Sequence, residues 1–257
     1  MSYYNGAMME SAFETLLGSG QSPLLLLCDH ASNALPPGFG SLGLDPHLFA
    51  THIAYDIGAA AATRALAGAY GAPAFLGRWS RLLIDLNRGT DDPTLVMKLS
   101  DGSIIPGNRH ADAAEVAERL ARYHAPYHAA IAGALDRIGP QAVVISLHSF
   151  TPSWKGAPRK WDVGILYDRD VRLAQPLMAR LSQAGFAVGD NEPYSGALQG
   201  DTLYRHGTLR GLPHVLIEMR QDLIADPASA QAFAQRLKPI LDAALGEMAS
   251  NSEAVGR

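Results

Sequence analysis

The chain has 257 residues, 47% of them hydrophobic and 18% charged, which is enough for a large buried core and too apolar for a disordered protein. A net charge of −4, without any run of basic residues, excludes a general nucleic-acid-binding surface. No apolar stretch approaches the roughly 20 residues needed to cross a bilayer, and the first twenty residues lack a basic segment followed by an apolar core. With Cys28 as the only cysteine, these features predict a cytoplasmic protein without a disulfide framework.

The chain up to residue 138 contains one strong strand signal, two further predicted strands and three predicted helices. A short helix is predicted at residues 11–17. The apolar run Leu24–Cys28, bounded by turn-forming residues, predicts a fully buried strand of a parallel sheet. Asp45 and Pro46 predict the start of a helix that continues to residue 70. Further segments are a strand at 72–76, a strand with an arginine near either end at 77–89, a long loop at 90–110 and a helix at 111–138 kinked at Pro126.

The second half alternates strands and helices. The predicted segments are strands at 142–147, 162–167, 186–188 and 214–219, helices at 171–184 and 227–249, loops at 151–160 and 191–199, and a turn or helix at 201–209. Such alternation predicts an α/β fold in which a mainly parallel or mixed central sheet has helices on both faces. Neither a repeat nor a linker divides the sequence, so we predict a single domain over residues 1–257.

Three of the predicted strands carry titratable residues where they end. His30 follows the first strand, His148 follows the strand at 142–147, and Glu218 lies at the end of the strand at 214–219. Ligands of open α/β sheets bind in the crevice outside the carboxyl ends of the strands. Asp56 lies on the predicted helix after the first strand. We therefore expect these four side chains to meet at one site.

Two imidazoles and one carboxylate form a common ligand set for catalytic zinc, which then keeps one position open. A further carboxylate must accept a proton in such a site, and Glu218 meets that need. The spacing is not the compact H-E-x-x-H signature, so a histidine that is simply hydrogen-bonded in a crevice is the alternative interpretation. His52 lies four residues before Asp56 on the same predicted helix face, so either residue could complete the metal shell.

Three arginines, Arg81, Arg88 and Arg220, lie near the ends of predicted strands. A buried arginine is costly unless it meets a carboxylate, and its planar fork suits that partner. The carboxylate could be internal, from Asp85 or Asp222, or could belong to a substrate. The sequence leaves both possibilities open.

Seven motifs in a fixed order resemble the N-formylglutamate amidohydrolase family over about residues 23–223: CDHASN, HIAYDIG, SRLLIDLNRG, YHAPYHAAI, SLHSF, GDTLYRHG and IEMRQDL. They also resemble, more broadly, zinc exopeptidases and cell-wall amidases. The resemblance implies a zinc-peptidase-like α/β fold and hydrolysis of N-formyl-L-glutamate to formate and L-glutamate, as in histidine degradation. Carried over position by position, it implies metal ligands at His30, Asp56 and His148 and a catalytic glutamate at Glu218.

The sequence is therefore interpreted as a metal-dependent amidohydrolase for a small anionic N-acyl amino acid, with Zn²⁺ or another divalent metal as cofactor. Glu218 and His148 are the predicted catalytic residues. The predicted substrate-binding residues are Arg81, Asn87, Arg88, Arg220 and His206. Two alternatives remain, a peptidoglycan amidase or carboxypeptidase and a non-catalytic binding protein for acidic amino acids. No nucleic-acid or membrane partner is predicted, and the sequence leaves the oligomeric state, the acyl group and the native metal open.

Overall fold

The computed structural model describes residues 11–255, and the side chains of residues 11–251. Its strands are β1 (Phe13–Leu16), β2 (Leu24–Cys28), β3 (Ala74–Gly77), β4 (Leu99–Ser100), β5 (Ser103–Ile104), β6 (Val143–Phe150), β7 (Ser153–Trp154), β8 (Ala157–Pro158), β9 (Val163–Leu166), β10 (Val188–Asp190) and β11 (His214–Arg220). Its α-helices are α1 (Ala59–Tyr70), α2 (Pro106–Arg109), α3 (Ala113–Arg119), α4 (Ala125–Ile138), α5 (Ala174–Gln183), α6 (Thr202–His206) and α7 (Pro227–Val255). Short 3₁₀ segments occur at Pro46–Ala50, Thr208–Arg210 and Gln221–Leu223, and a π turn at Leu120–His124.

Within the described residues, seven strands form one mixed sheet in the order β1-β3-β2-β6-β11-β9-β10. The four central strands β3, β2, β6 and β11 are parallel, β1 and β9 run antiparallel to their inner neighbours, and β10 is parallel to β9. This arrangement confirms the predicted α/β fold with a mixed sheet. None of the helices in the described part of the chain has the length and apolarity that a bilayer-spanning segment needs.

Helices cover both faces of this sheet. Leu24, Leu26 and Cys28 of β2 pack in a core with α1, α5 and α7, while Leu25 and Leu27 pack on the other face against α4. Because successive side chains of a strand point to opposite faces, burial on both sides produces the unbroken apolar run in the sequence. The same alternation separates Ile217 from Glu218 in β11, and it places Glu218 on the α4 face together with the side chain of Leu216.

Two predicted elements are wrong in type. The segment predicted as a helix at 11–17 contains strand β1 (Phe13–Leu16) instead, because pairing with β3 at the sheet edge decides the conformation of this short segment. Residues 77–89 form turns rather than a strand. Their apolar side chains enter three different clusters, with Leu82 in one, Ile84 in a second and Leu86 in a third, which an extended strand with two faces could not achieve.

The predicted helix at 45–70 is interrupted. Asp45 caps only the 3₁₀ segment, accepting a hydrogen bond from His47 N, and α1 begins later, after Gly58. Gly58 has a φ of 81°, and a Cβ at this position would lie 2.0 Å from Ile224 O, so a glycine is required here. Asp56 therefore lies in the loop before α1, where its backbone N–H donates to His30 O at 3.0 Å.

The remaining differences are smaller. The helix predicted at 111–138 occurs as α3, the π turn and α4, and Pro126 lies in the first turn of α4, directly after the π turn has changed the hydrogen-bonding pattern. The loops predicted at 90–110 and 151–160 contain the small hairpins β4–β5 and β7–β8. His148 lies inside β6, which extends to Phe150, rather than after it.

Candidate active site

The structure brings His30, Asp56 and His148 together at the carboxyl ends of β2 and β6. All three are buried, and one ligand atom from each lies within 4.8 Å of the other two. Asp56 Oδ2 lies 2.7 Å from His148 Nδ1 and 3.4 Å from His30 Nδ1. The two imidazoles therefore direct the same nitrogen, Nδ1, towards one carboxylate oxygen.

The opposite nitrogen of each imidazole meets a second buried carboxylate. His30 Nε2 donates to Asp85 Oδ1 at 2.7 Å, and His148 Nε2 donates to Asp29 Oδ2 at 3.0 Å. Metal-binding histidines nearly always use their second ring nitrogen in this way, which fixes the tautomer and leaves the first nitrogen for the ion. The donor set with its outer carboxylates thus fits a divalent metal.

The carboxylates of Asp29 and Asp85 are fixed in position by further hydrogen bonds. Burial would raise the pKa of Asp85, but the charge of Arg81 and the contact with His30 outweigh it and keep the pKa well below its usual value. Arg81 Nη2 donates to Asp85 Oδ2 at 2.8 Å, and Thr202 Oγ1 donates to Asp29 Oδ1 at 2.8 Å. Both carboxylates are therefore available as permanent acceptors for the imidazoles.

Glu218 contributes a buried carboxylate to the site whose Oε2 has no hydrogen-bond partner. In the sheet register it lies opposite His148 on β6 and Gly164 on β9. Its side chain is buried, and Oε2 has no hydrogen-bond partner. Burial, assisted by the negative charge of Asp56, raises the pKa of Glu218 to about 7. A buried acceptor with no partner costs free energy, so Oε2 of Glu218 does not stabilise the fold through a hydrogen bond.

These side chains line a cavity of about 250 Å³. It opens at the carboxyl ends of the parallel strands, where α/β sheets bind their ligands. Its volume lies just below the roughly 300–1,000 Å³ of pockets that hold drug-sized ligands, so it suits a small molecule. Further lining residues from the sequence-predicted set are His52, Arg81, Asn87 and Arg88.

The two other predicted substrate-binding residues lie elsewhere. Arg220 does not line the cavity, because its guanidinium contacts Asp222 at 2.7 Å and Asp162 at 3.1 Å. His206 does not line this cavity either, and its Nε2 lies 2.9 Å from His128 Nδ1. The internal pairing that the sequence left open for Arg220 is the one observed, and the cavity gives no support to a substrate role for either residue.

The arginines that do line the cavity differ in how far their charges are compensated. Arg81 contacts both Asp85, at 2.8 Å, and Asp56, at 3.7 Å. Arg88 donates to Thr94 Oγ1 and Asn87 O, and its nearest carboxylate oxygen, from Asp92, is 3.9 Å away. Arg88 therefore retains more capacity for an external anion.

The sequence of the chain matches the N-formylglutamate amidohydrolase family over residues 22–225. The chain belongs to this family. It is a hydrolase that acts on amides, as the family match indicates.

Two solved structures are similar to this amidohydrolase over nearly their whole lengths. Gene product Atu2144 from Agrobacterium tumefaciens is 34% identical, with a TM-score of 0.87 over 93% of this chain and 96% of that one. The N-formylglutamate amidohydrolase from Ralstonia eutropha JMP134 is 23% identical, with a TM-score of 0.62 over 95% of this chain and 99% of that one, and it supports the fold. No curated protein matches the chain.

The motifs of this N-formylglutamate amidohydrolase family member converge on the site. CDHASN contributes Asp29 and His30, HIAYDIG contributes Asp56, SRLLIDLNRG contributes Asp85, SLHSF contributes His148 and IEMRQDL contributes Glu218. The sequence patterns do not predict the roles of Asp29 and Asp85 as partners of the imidazoles. The only signal for Asp29 is its position next to His30, and the spacing of Asp85 suggests only a partner for Arg81.

The YHAPYHAAI and GDTLYRHG motifs of the amidohydrolase form a second histidine cluster, made of His124, His128 and His206. His128 Nε2 donates to Leu86 O at 3.0 Å, so its Nδ1 accepts from His206 Nε2 at 2.9 Å. His124 Nε2 donates to Arg88 O at 3.0 Å. The cluster thus fixes the backbone on both sides of Asn87.

This cluster predicts a pH dependence of stability. Burial lowers the pKa of His206 to about 4, whereas an unfolded histidine binds its proton near pH 6.5. Between these values the unfolded chain binds more protons, so the free energy of unfolding should rise with pH, by about 2 kcal/mol from pH 5 to 6.5. Urea titrations should show a shallower rise in His206→Asn.

The matched control is His47→Asn at an exposed histidine, which should keep the wild-type dependence on pH. An unchanged pH dependence in His206→Asn would contradict the buried neutral histidine described above.

Proposed function

We propose that this amidohydrolase holds one divalent metal ion, zinc, at His30, Asp56 and His148. It hydrolyses the amide of a small anionic N-acyl amino acid, and N-formyl-L-glutamate is the leading candidate substrate. The observation that carries the proposal is a pair of imidazoles that share Asp56 through Nδ1 and are held from behind by carboxylates, beside the unpaired buried carboxylate of Glu218.

The metal, when bound, would polarise the amide carbonyl and lower the pKa of a water molecule. Asp29 and Asp85 keep both imidazoles in the orientation that the ion needs. Glu218 Oε2 accepts the proton of the attacking water and returns it to the nitrogen of the leaving amino acid. A pKa of about 7 suits this two-way transfer near neutral pH.

The anionic part of the substrate is assigned to Arg88 and Asn87, which line the cavity together with Arg81. Arg88 has the least compensated charge of the two lining arginines among the described residues. A bidentate guanidinium contact suits a carboxylate next to the scissile amide. The products are formate and L-glutamate, and the leaving amine takes the proton from Glu218.

The cavity volume favours this substrate over the alternatives. About 250 Å³ suits a single N-acyl amino acid better than a segment of peptidoglycan. A non-catalytic binding protein for acidic amino acids would gain nothing from an unpaired buried glutamate. We further propose that the enzyme acts in the cytoplasm, in histidine degradation, on a free metabolite and without a nucleic-acid or membrane partner.

Metal removal tests the proposal. Purified protein should contain about one zinc per chain by elemental analysis and should release formate from N-formyl-L-glutamate. Treatment with a chelator should abolish formate release, and added Zn²⁺ should restore it, because carbonyl polarisation depends on the ion. Full activity of metal-free protein, or inactivity of zinc-loaded protein towards every N-acyl amino acid tried, would refute the proposal. Activity on muropeptides alone would select the peptidoglycan amidase.

A further inference from the structure

The β7–β8 hairpin forms an aromatic and cationic rim beside the cavity. Its turn residues Lys155 and Gly156 have φ angles of 49° and 81°, which is the pattern of a tight two-residue hairpin. Trp154 and Arg159 do not line the cavity, but they contact residues that do. These contacted lining residues are His52, Phe150, Thr151 and Tyr194.

Arg159 is held in place by three aromatic rings. Its guanidinium carbon lies 5.6 Å from the ring centroid of Phe150, 5.5 Å from that of Trp154 and 5.2 Å from that of Tyr194. Nη1 also donates to Thr151 Oγ1 at 3.0 Å. An arginine that stacks on aromatic faces keeps the N–H donors at the edge of its guanidinium free for hydrogen bonds. The packing around Arg159 therefore orients the guanidinium and leaves donors available for a ligand.

The charge of Arg159 is uncompensated. Among the residues whose side chains the structure describes, no carboxylate oxygen lies within 4.0 Å of its guanidinium nitrogens, in contrast to Arg81 and Arg220. Residues 151–160 also contain Lys155 and Lys160, and no acidic residue. The rim is thus a local positive field on a chain with a net charge of −4, which favours the approach of an anion.

We propose that Arg159 binds the side-chain carboxylate of the substrate and so makes the hairpin the element that selects an acidic amino acid. The inference rests on the proposed function and assigns its second carboxylate. Trp154 and Tyr194 are 40% and 44% exposed, and Tyr194 lines the cavity, so the rings around Arg159 border both the cavity and the solvent. The carboxylate adjacent to the amide stays with Arg88 inside, and the side-chain carboxylate, farther from the scissile bond, reaches Arg159.

The test compares N-formyl-L-glutamate with N-formyl-L-glutamine, which has nearly the same shape and lacks the second charge. Zinc-loaded wild type should prefer the glutamate by about 10- to 100-fold in kcat/KM, the range for a charge-assisted hydrogen bond. Arg159→Met should lose this preference, mainly through KM for the glutamate, and should change the glutamine reaction little. Arg159→Lys, which keeps the charge without the fork, should fall between them.

Arg236→Met is the matched control, because Arg236 also stacks on a ring, that of Phe186, and donates to a backbone carbonyl, that of Ala184, but contacts no residue of the cavity. It should retain the wild-type preference. A retained preference in Arg159→Met, or an equal loss on both substrates, would overturn the assignment.

Calorimetry with L-glutamate on the zinc-loaded protein separates this inference from the proposed function. If wild type binds L-glutamate in an Arg159-dependent manner but releases no formate, the proposed function fails and the carboxylate site stands. If Arg159→Met binds L-glutamate as wild type does, the site fails whatever the turnover.

Discussion

Glu218→Gln is expected to lower kcat for N-formyl-L-glutamate by about 100- to 10,000-fold while the zinc content stays at the wild-type level. The substitution keeps the shape of the side chain and removes its capacity to accept a proton. Glu218 is not among the three predicted ligands, so the ion should bind as before. Formate release under single-turnover conditions, together with elemental analysis, measures both quantities.

The same variant should not lose stability. Oε2 of Glu218 has no hydrogen-bond partner to lose, and burial already disfavours the charged form of this carboxyl, as its raised pKa shows. A neutral amide in its place should therefore leave the melting temperature unchanged or raise it, as is common when an active-site residue is replaced. Glu247→Gln serves as the control and should retain full turnover, because it only removes an exposed ion pair between Glu247 of α7 and Arg180 of α5. Near-wild-type turnover in Glu218→Gln would show that another group accepts the proton.

The sequence was sufficient for the positions of the strands that carry the site, because β2, β6 and β11 are buried on both faces and their apolar runs are unmistakable. Since the carboxyl ends of parallel strands meet at one edge of a sheet, the sequence alone predicts that His30, His148 and Glu218 lie close together. Asp56 is grouped with them from its place on the predicted helix after the first strand, and the family resemblance implies the same four residues. In the structure Asp56 lies in the loop before α1, and it still reaches both histidines.

The partners behind the imidazoles could not be predicted in the same way. Asp29 precedes His30 in the chain but serves His148 on the neighbouring strand, while His30 is served by Asp85 from a segment of turns. Which carboxylate meets which imidazole depends on the register between β2 and β6, in which Leu27 pairs with Ser146. Local sequence patterns do not encode this register. The surroundings of Arg159 are also not predictable from local sequence, because Phe150 of β6, Trp154 of β7 and Tyr194 of a later loop supply the rings around it.

Asp56→Asn should weaken zinc binding by more than 100-fold, which exceeds the 10- to 100-fold cost of changing an outer partner of a metal ligand. Asp56 Oδ2 is the atom that both Nδ1 atoms face, so the substitution removes one ligand and the negative charge that compensates the ion. The contacts with His30 and His148 also outweigh the effect of burial and keep the pKa of Asp56 below its usual value, so the carboxylate is ionised and available. Competition with a chromophoric chelator measures the dissociation constant, and formate release at limiting zinc should fall in parallel.

His52→Asn is the decisive comparison, because the sequence left His52 and Asp56 as rival ligands. The side chain of His52 is 32% exposed, its Nε2 lies 3.4 Å from Asp101 Oδ2, and its ring contacts Trp154 at the rim. It lines the cavity without belonging to the ligand group. Zinc affinity should therefore stay within about threefold of wild type, as expected for a residue that makes no bond to the ion. The opposite ranking, with His52→Asn losing zinc and Asp56→Asn retaining it, would move the metal towards the rim and remove Glu218 from reach of the scissile amide.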